Sequence, residues 1–161
     1  MITRYIGYSM LVVLITILSS CKTESTVSSF YNSTIECLGA GHDGSQTLRV
    51  WGTGKNKAKA IEEAKKNAVY EVIFNGIRSN MKNCSLRPLV TEVNARERHE
   101  AYFNRFFSAK GAYDNYVNTS NEKRDSKIED TNLSQAKFGI VVTVLSADLK
   151  QKLINDGIIK Q

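Results

Sequence analysis

Residues able to do chemistry are sparse in this chain of 161 residues, which holds three cysteines, two histidines and one tryptophan. The most suggestive spacing is Val50-Trp51-Gly52-Thr53-Gly54-Lys55, a strand end that runs through two glycines and a lysine into a helix. A phosphate-cradling loop needs Gly, four residues, then Gly-Lys-Ser/Thr, because backbone amides must ring the phosphates and the hydroxyl must reach magnesium. Here Asn56 follows Gly54-Lys55 and Arg49 stands where the first glycine belongs, so the pattern fails at both ends. Upstream, Gly39-Ala40-Gly41-His42-Asp43-Gly44 satisfies G-x-G-x-x-G. A dinucleotide fingerprint must leave a strand and open a helix, whereas this one leads into a strand at Leu48.

The remaining catalytic patterns are equally incomplete. His99-Glu100 begins a zinc-protease motif, but Phe103 occupies its second ligand position. No Gly-x-Ser-x-Gly elbow occurs, and no pair of carboxylates is singled out for glycoside chemistry. The sequence therefore leads to an expectation of no catalytic residue, no metal and no cofactor.

Thiol chemistry is a different matter. Met1 to Ser20 reads as a targeting segment, with Arg4 as its positive end and the 14 mostly apolar residues Tyr5 to Leu18 behind it. As a helix those residues would extend about 21 Å, short of the roughly 30 Å hydrocarbon core of a bilayer. Leu18-Ser19-Ser20-Cys21 follows, and it resembles the lipobox of bacterial lipoproteins: an aliphatic residue, two small ones, then a cysteine. Ser20 departs from the commoner Gly or Ala. The resemblance implies cleavage before Cys21, acylation of its thiol with palmitate-type chains, and stable attachment to a membrane. An uncleaved anchor and an ordinary secretory peptide are the competing readings. Residues 21–32, rich in Ser and Thr from Lys22 to Ser29, then form a flexible tether, and residues 33–161 form one domain.

Removing Arg4 leaves 21 basic against 16 acidic residues, a net of +5. The positive charges are interspersed with acids, which fits a solvated surface. Cys37 and Cys84 are the two cysteines left for the domain. In an oxidising compartment they can pair, closing 47 residues, worth about 4 kcal/mol on the chain-entropy model, or stay as two separate buried thiols.

Hydrophobic periodicity supplies the frame. Thr34 to Leu38 and Thr47 to Trp51 read as strands of a hairpin around Gly39 to Gln46. From Asn56 the period becomes helical, with Ala58, Ile61, Ala64, Ala68 and Val72 on one face and Lys59, Glu63, Lys66 and Asn67 turned to water. Gly76 is placed to end that helix. After an irregular stretch to Val93, a second helix spans about Ala95 to Phe107 with Asn94 as its cap. Ala112 to Thr119 reads as a strand and Asn121 to Asp130 as a charged loop. Lys137 to Leu145 reads as a central strand, apolar on both faces and so covered on at least part of each, and Ser146 caps a last helix that Gly157 closes. The order β-β-α-α-β-β-α points to an α+β fold, a small antiparallel or mixed sheet with helices packed on it.

Arg96, Arg98, Arg105 and Lys110 interleave with Tyr102, Phe103, Phe106 and Phe107. Buried rings with solvated arginines account for this pattern, the alternative being that part of this helix is a docking face for another envelope protein; an envelope address argues against nucleic acid as the partner.

Taken together, the lipobox, Val50-Trp51-Gly52-x-Gly54, the alanine-striped helix and the late strand with its Leu149 and Leu153 helix resemble small bacterial envelope lipoproteins of the twenty-kilodalton Lpp type. They also resemble the N-terminal domain of flagellar assembly protein T. The resemblance covers about Thr34 to Gly76 and, more loosely, Phe138 to Gly157; the insert from Arg78 to Asp130 departs from it. It implies glycines and alanines used for helix-on-sheet packing, with no catalytic residue to carry over. The function expected is that of a lipid-anchored, non-catalytic envelope protein, most plainly at the outer membrane, that binds another envelope protein or joins an assembly. The alternative is an envelope hydrolase or small-ligand binder with a pocket near the Gly39 to Gln46 loop, where His42 and Asp43 would converge with a carboxylate.

Overall fold

The computed structural model describes residues 35–77, 84, 86–119, 128–130 and 136–160. The expected targeting segment (residues 1–20), Cys21 and the expected tether lie outside them. The fold is α+β, and its sheet is antiparallel throughout. β1 (Ile35–Ala40) and β2 (Gln46–Gly54) form the expected hairpin. β2 then pairs along its whole length with β5 (Ala136–Val144), from Gln46 opposite Val144 to Gly54 opposite Ala136.

The far edge of β5 carries two short strands. β3 (Val117–Thr119) lies opposite residues 142–144 and β4 (Ile128–Asp130) opposite residues 136–138. Both run the same way and share one edge position along β5, so the described sheet is four positions wide. β4 corrects the expectation of a loop through Asp130; backbone pairing to β5 prevails there over a charged local sequence.

The first helix, α1 (Lys57–Tyr70), starts at Asn56, whose side chain accepts from the Lys59 amide at 3.0 Å. It passes into a π-helical segment, Glu71–Asn75, closed by the Gly76 amide on the Glu71 carbonyl at 2.7 Å. The widened turn frees the Val72 and Ile73 carbonyls, which accept from Leu89 and Val90 at 3.2 and 2.9 Å. The irregular stretch is thus fastened to the end of α1 by backbone bonds.

The expected second helix is two pieces, α2 (Ala95–Arg98) and α3 (Glu100–Phe106), parted at His99. Asn94 precedes α2 in a left-handed conformation, φ 58°, with no capping bond from its side chain. Residues 112–116 of the expected strand form a 3₁₀ turn, Ala112–Tyr116. Tyr113 and Tyr116, three apart, both reach the aromatic cluster, Tyr113 against Phe107 and Tyr116 against Phe106. Strand alternation would have sent them to opposite faces.

The last helix, α4 (Ser146–Asn155), begins without a side-chain cap. Ser146 is its first residue, and its hydroxyl donates instead to the Gly44 carbonyl of the hairpin loop. Gly157, φ 71°, ends it: the Gly157 amide bonds the Ile154 carbonyl and the Ile158 amide bonds that of Leu153, both at 2.9 Å.

Leu48, Val50, Val142 and Val144 are fully buried with Ala60, Ala64 and Ala68 of α1, and one core takes in Leu149 and Leu153 of α4 as well. Ala58 and Ile61 were expected on this face; Ala58 is exposed and Ile61 half-buried, and Ala60 takes the place at the seam. On the opposite face of β5, Gly139 is buried and Lys137, Val141 and Thr143 are half-buried, so the strand is covered on at least part of both faces, as expected.

Candidate functional site

Gly52 and Gly54 decide how α1 meets the sheet. A Cβ on Gly54 would stand 2.6 Å from the Ala60 amide nitrogen, and one on Gly52 would overlap the Ala60 carbonyl and the Ala64 amide. The two glycines and the alanine row therefore put helix backbone against strand backbone, which is packing and not phosphate binding. Asn67, expected in water, is buried at this seam and donates from Nδ2 to the Trp51 carbonyl at 3.1 Å. Among the described residues its Oδ1 has no hydrogen-bond partner.

On the other face Trp51 lies over Gly139, its partner in the ladder; a Cβ on Gly139 would meet the indole Nε1 at 2.8 Å. Around the indole this face carries Arg49, paired with Glu36 at 2.8 Å, half-buried Val141, and Thr47 bonded to Thr143 at 3.4 Å. Single tryptophans in such partly dry, polar-rimmed settings are typical interface anchors.

Cys37 and Cys84 are joined by a disulfide, with Cα atoms 5.9 Å apart. Both residues are buried. The bond ties the edge strand β1 to the stretch behind the π-helical segment, where Ile77 and Leu86 exchange two backbone bonds of 2.8 and 3.0 Å.

The Gly39 to Gln46 region is a closed hairpin turn. Gly41 bonds the Ser45 carbonyl at 2.9 Å and Gly44 the Gly41 carbonyl at 3.1 Å. Asp43 accepts from the Ser45 amide at 3.0 Å, and hydrogen bonds from Ser45 hold its carboxyl below the usual range. His42 and Asp43 are both exposed, so the carboxylate is committed to its own turn.

His99 sits between α2 and α3, half-buried. Among the described residues no three His, Cys, Asp or Glu side chains are placed to hold a metal ion. Phe103, Phe106 and Phe107 are buried, Arg98, Arg105 and Lys110 are exposed, and Arg96 lies over the Tyr70 ring at 6.0 Å. Tyr102 donates to Asp156 at 2.7 Å, and Lys152 reaches the other carboxylate oxygen at 2.9 Å. Burial, then the bond to Asp156, pushes the Tyr102 phenol well up; that same bond, with Lys152, holds Asp156 low. This trio fastens α3 to the end of α4.

The half-buried sheet face centred on Trp51 was not singled out from sequence. Its signal was the alternation of β2, in which Thr47, Arg49, Trp51 and Thr53 share one side. Among the described residues no helix is long and apolar enough to cross a membrane. No protein-family model, curated protein or solved structure matches the chain.

Proposed function

We propose that the chain is a lipid-anchored protein of the bacterial cell envelope, held through Cys21, whose α+β domain binds another envelope protein and performs no catalysis. The observation that carries the binding role is the second sheet face: among the described residues α1 packs on one face, and half-buried Trp51, Arg49 and Val141 line the other. A partly apolar face with a tryptophan at its centre is a cost in water that association removes. Two further features support the address. Residues 1–21 resemble a lipoprotein leader, and the Cys37–Cys84 disulfide belongs to compartments that keep thiols oxidised.

Cleavage before Cys21 would leave the tether and the domain on a modified cysteine. The outer membrane, on its periplasmic or outer surface, is the membrane proposed.

The test is photo-crosslinking from native membranes, with the probe at Thr53 on the outer sheet face and, separately, at Lys65 on α1. A discrete adduct from the first position and none from the second supports the reading, together with acyl mass on Cys21. A bare Cys21 behind an intact Met1 sinks the anchor. Equal labelling from both positions sinks the docking face.

A further inference from the structure

We propose that the Cys37–Cys84 bond is a redox clasp that decides whether β1, the strand through which the N-terminal segment enters the domain, stays seated on the sheet. Among the described strands β1 stands at the sheet edge and pairs with β2 alone, and its register breaks between Cys37 and Gly39. A bulged edge strand of six residues has few ladder bonds to resist peeling. Cys84, by contrast, is held from behind. Next to it Leu86 exchanges two bonds with Ile77, and Leu89 and Val90 donate to the carbonyls of Val72 and Ile73 in the continuation of α1.

The covalent link therefore routes any pull on Ile35 through Cys37 and Cys84 into the end of α1, the most deeply packed helix of the fold. Without it β1 is held by its ladder with β2 and by the packing of Ile35 and Cys37 against the core.

Release is a two-electron reduction. A dithiol gives two electrons and two protons, the Cys37–Cys84 sulfur bond breaks to two thiols, and the dithiol closes to its own disulfide. The cysteines are 4% and 0% exposed, so a thiolate reaches either sulfur only after local opening. The clasp thus resists adventitious reduction and yields to a reductant that waits for, or causes, that opening. The clasp acts within the domain whether or not Cys21 is acylated, so its test stands apart from the test of the anchor.

The experiment is hydrogen exchange read by mass spectrometry on the full chain, oxidised and then held in dithiothreitol, with Cys84→Ala measured alongside. In both the reduced protein and the variant, amides of Ile35–Ala40 and of Leu86–Val90 are expected to exchange at least about tenfold faster. Amides of Ala60–Val69 and Ile140–Val144 are expected to keep their rates. Unchanged exchange in β1 would show that the bond clasps nothing. Acceleration that spreads through α1 and β5, or a reduced chain that unfolds outright, would make the bond a global brace and overturn the proposal equally.

Discussion

A methyl group on Gly52 would occupy the space of the Ala64 amide, so the strand and the helix touch there through backbone atoms. Adding one carbon must push α1 off the sheet along the row Ala60, Ala64 and Ala68, all fully buried. Gly52→Ala is expected to cost about 3 kcal/mol, at the upper end of overpacking effects, because backbone cannot yield as a side chain can. Thr53→Ala, one residue on and exposed, should stay within about 0.5 kcal/mol of the parent. Urea unfolding with an unchanged slope checks both; a Gly52→Ala protein of parental midpoint would refute the close seam.

Asn67 gives the same seam a polar lock. Its amide supplies the Trp51 carbonyl with a buried bond, while among the described residues its own Oδ1 has no partner. Asn67→Ala removes an orphaned acceptor along with the useful donor and gains helix propensity, so its expected cost is small, about 1 kcal/mol. Asn67→Asp keeps the shape, loses the donor and buries a charge, so it should be clearly worse at neutral pH. The buried carboxyl would have a raised pKa in the fold. Its penalty is then largest above that raised value and fades as pH falls toward the ordinary carboxylate range. Equal stability of the two variants at neutral pH would contradict this geometry.

Much of the seam could be read from the sequence because its signals are local and periodic. The glycines of Gly52-Thr53-Gly54, the alanine row and the alternation of Lys137 to Val144 each report one side of a contact that later forms. The elements that escaped are those settled by distant partners. Tyr113 and Tyr116 take a 3₁₀ turn because Phe107 and Phe106 await them, and β4 is a strand because β5 offers it an edge. Asn67 looked solvated because helical spacing says which face a residue occupies but not how far a glycine pair lets the sheet reach around it. The Cys37–Cys84 bond was left open for the same reason: spacing along the chain carries no information on approach in space. The Trp51 face required knowing which side α1 would choose.

The Tyr102–Asp156 hydrogen bond predicts a two-sided pH dependence. The Asp156 carboxyl is held low by the Tyr102 hydroxyl first and by Lys152. That contribution is complete above the ordinary carboxylate pKa and is lost as pH falls through the lower folded value. The Tyr102 phenol is raised, by burial first and then by Asp156. Its contribution is complete below the ordinary phenol value of 10.0 and is lost as pH rises from there toward the raised folded value. Tyr102→Phe should cost about 1 kcal/mol at pH 7, discounted for partial exposure, and should flatten both limbs. A thermal-unfolding series from acid to alkaline pH checks it; parallel curves for parent and variant would remove the bond from the account.

Gly76 and Gly157 both have positive φ, yet their substitution should differ in kind. Gly157, φ 71°, has nothing within 4 Å of a Cβ and closes α4 in open space. Gly157→Ala then pays only for the left-handed backbone, about 1 kcal/mol. Gly76, φ 73° and ψ 171°, lies in a region that side chains avoid, and a Cβ there would meet Pro88 Cδ at 2.8 Å and overlap the Leu86 carbonyl. Gly76→Ala must displace the 86–88 stretch that runs beside Cys84 and into the Leu89 and Val90 bonds. Its expected cost exceeds about 3 kcal/mol, combining backbone strain with overpacking. Because the displaced stretch lies two residues beyond Cys84, the partner of Cys37, Gly76→Ala should also make the disulfide faster to reduce in the folded protein, while Gly157→Ala leaves that rate alone. Measuring both stabilities and both reduction rates separates the positions; a Gly76→Ala protein as stable and as slowly reduced as Gly157→Ala would mean the chain after the π-helical segment is not fastened where the backbone bonds put it.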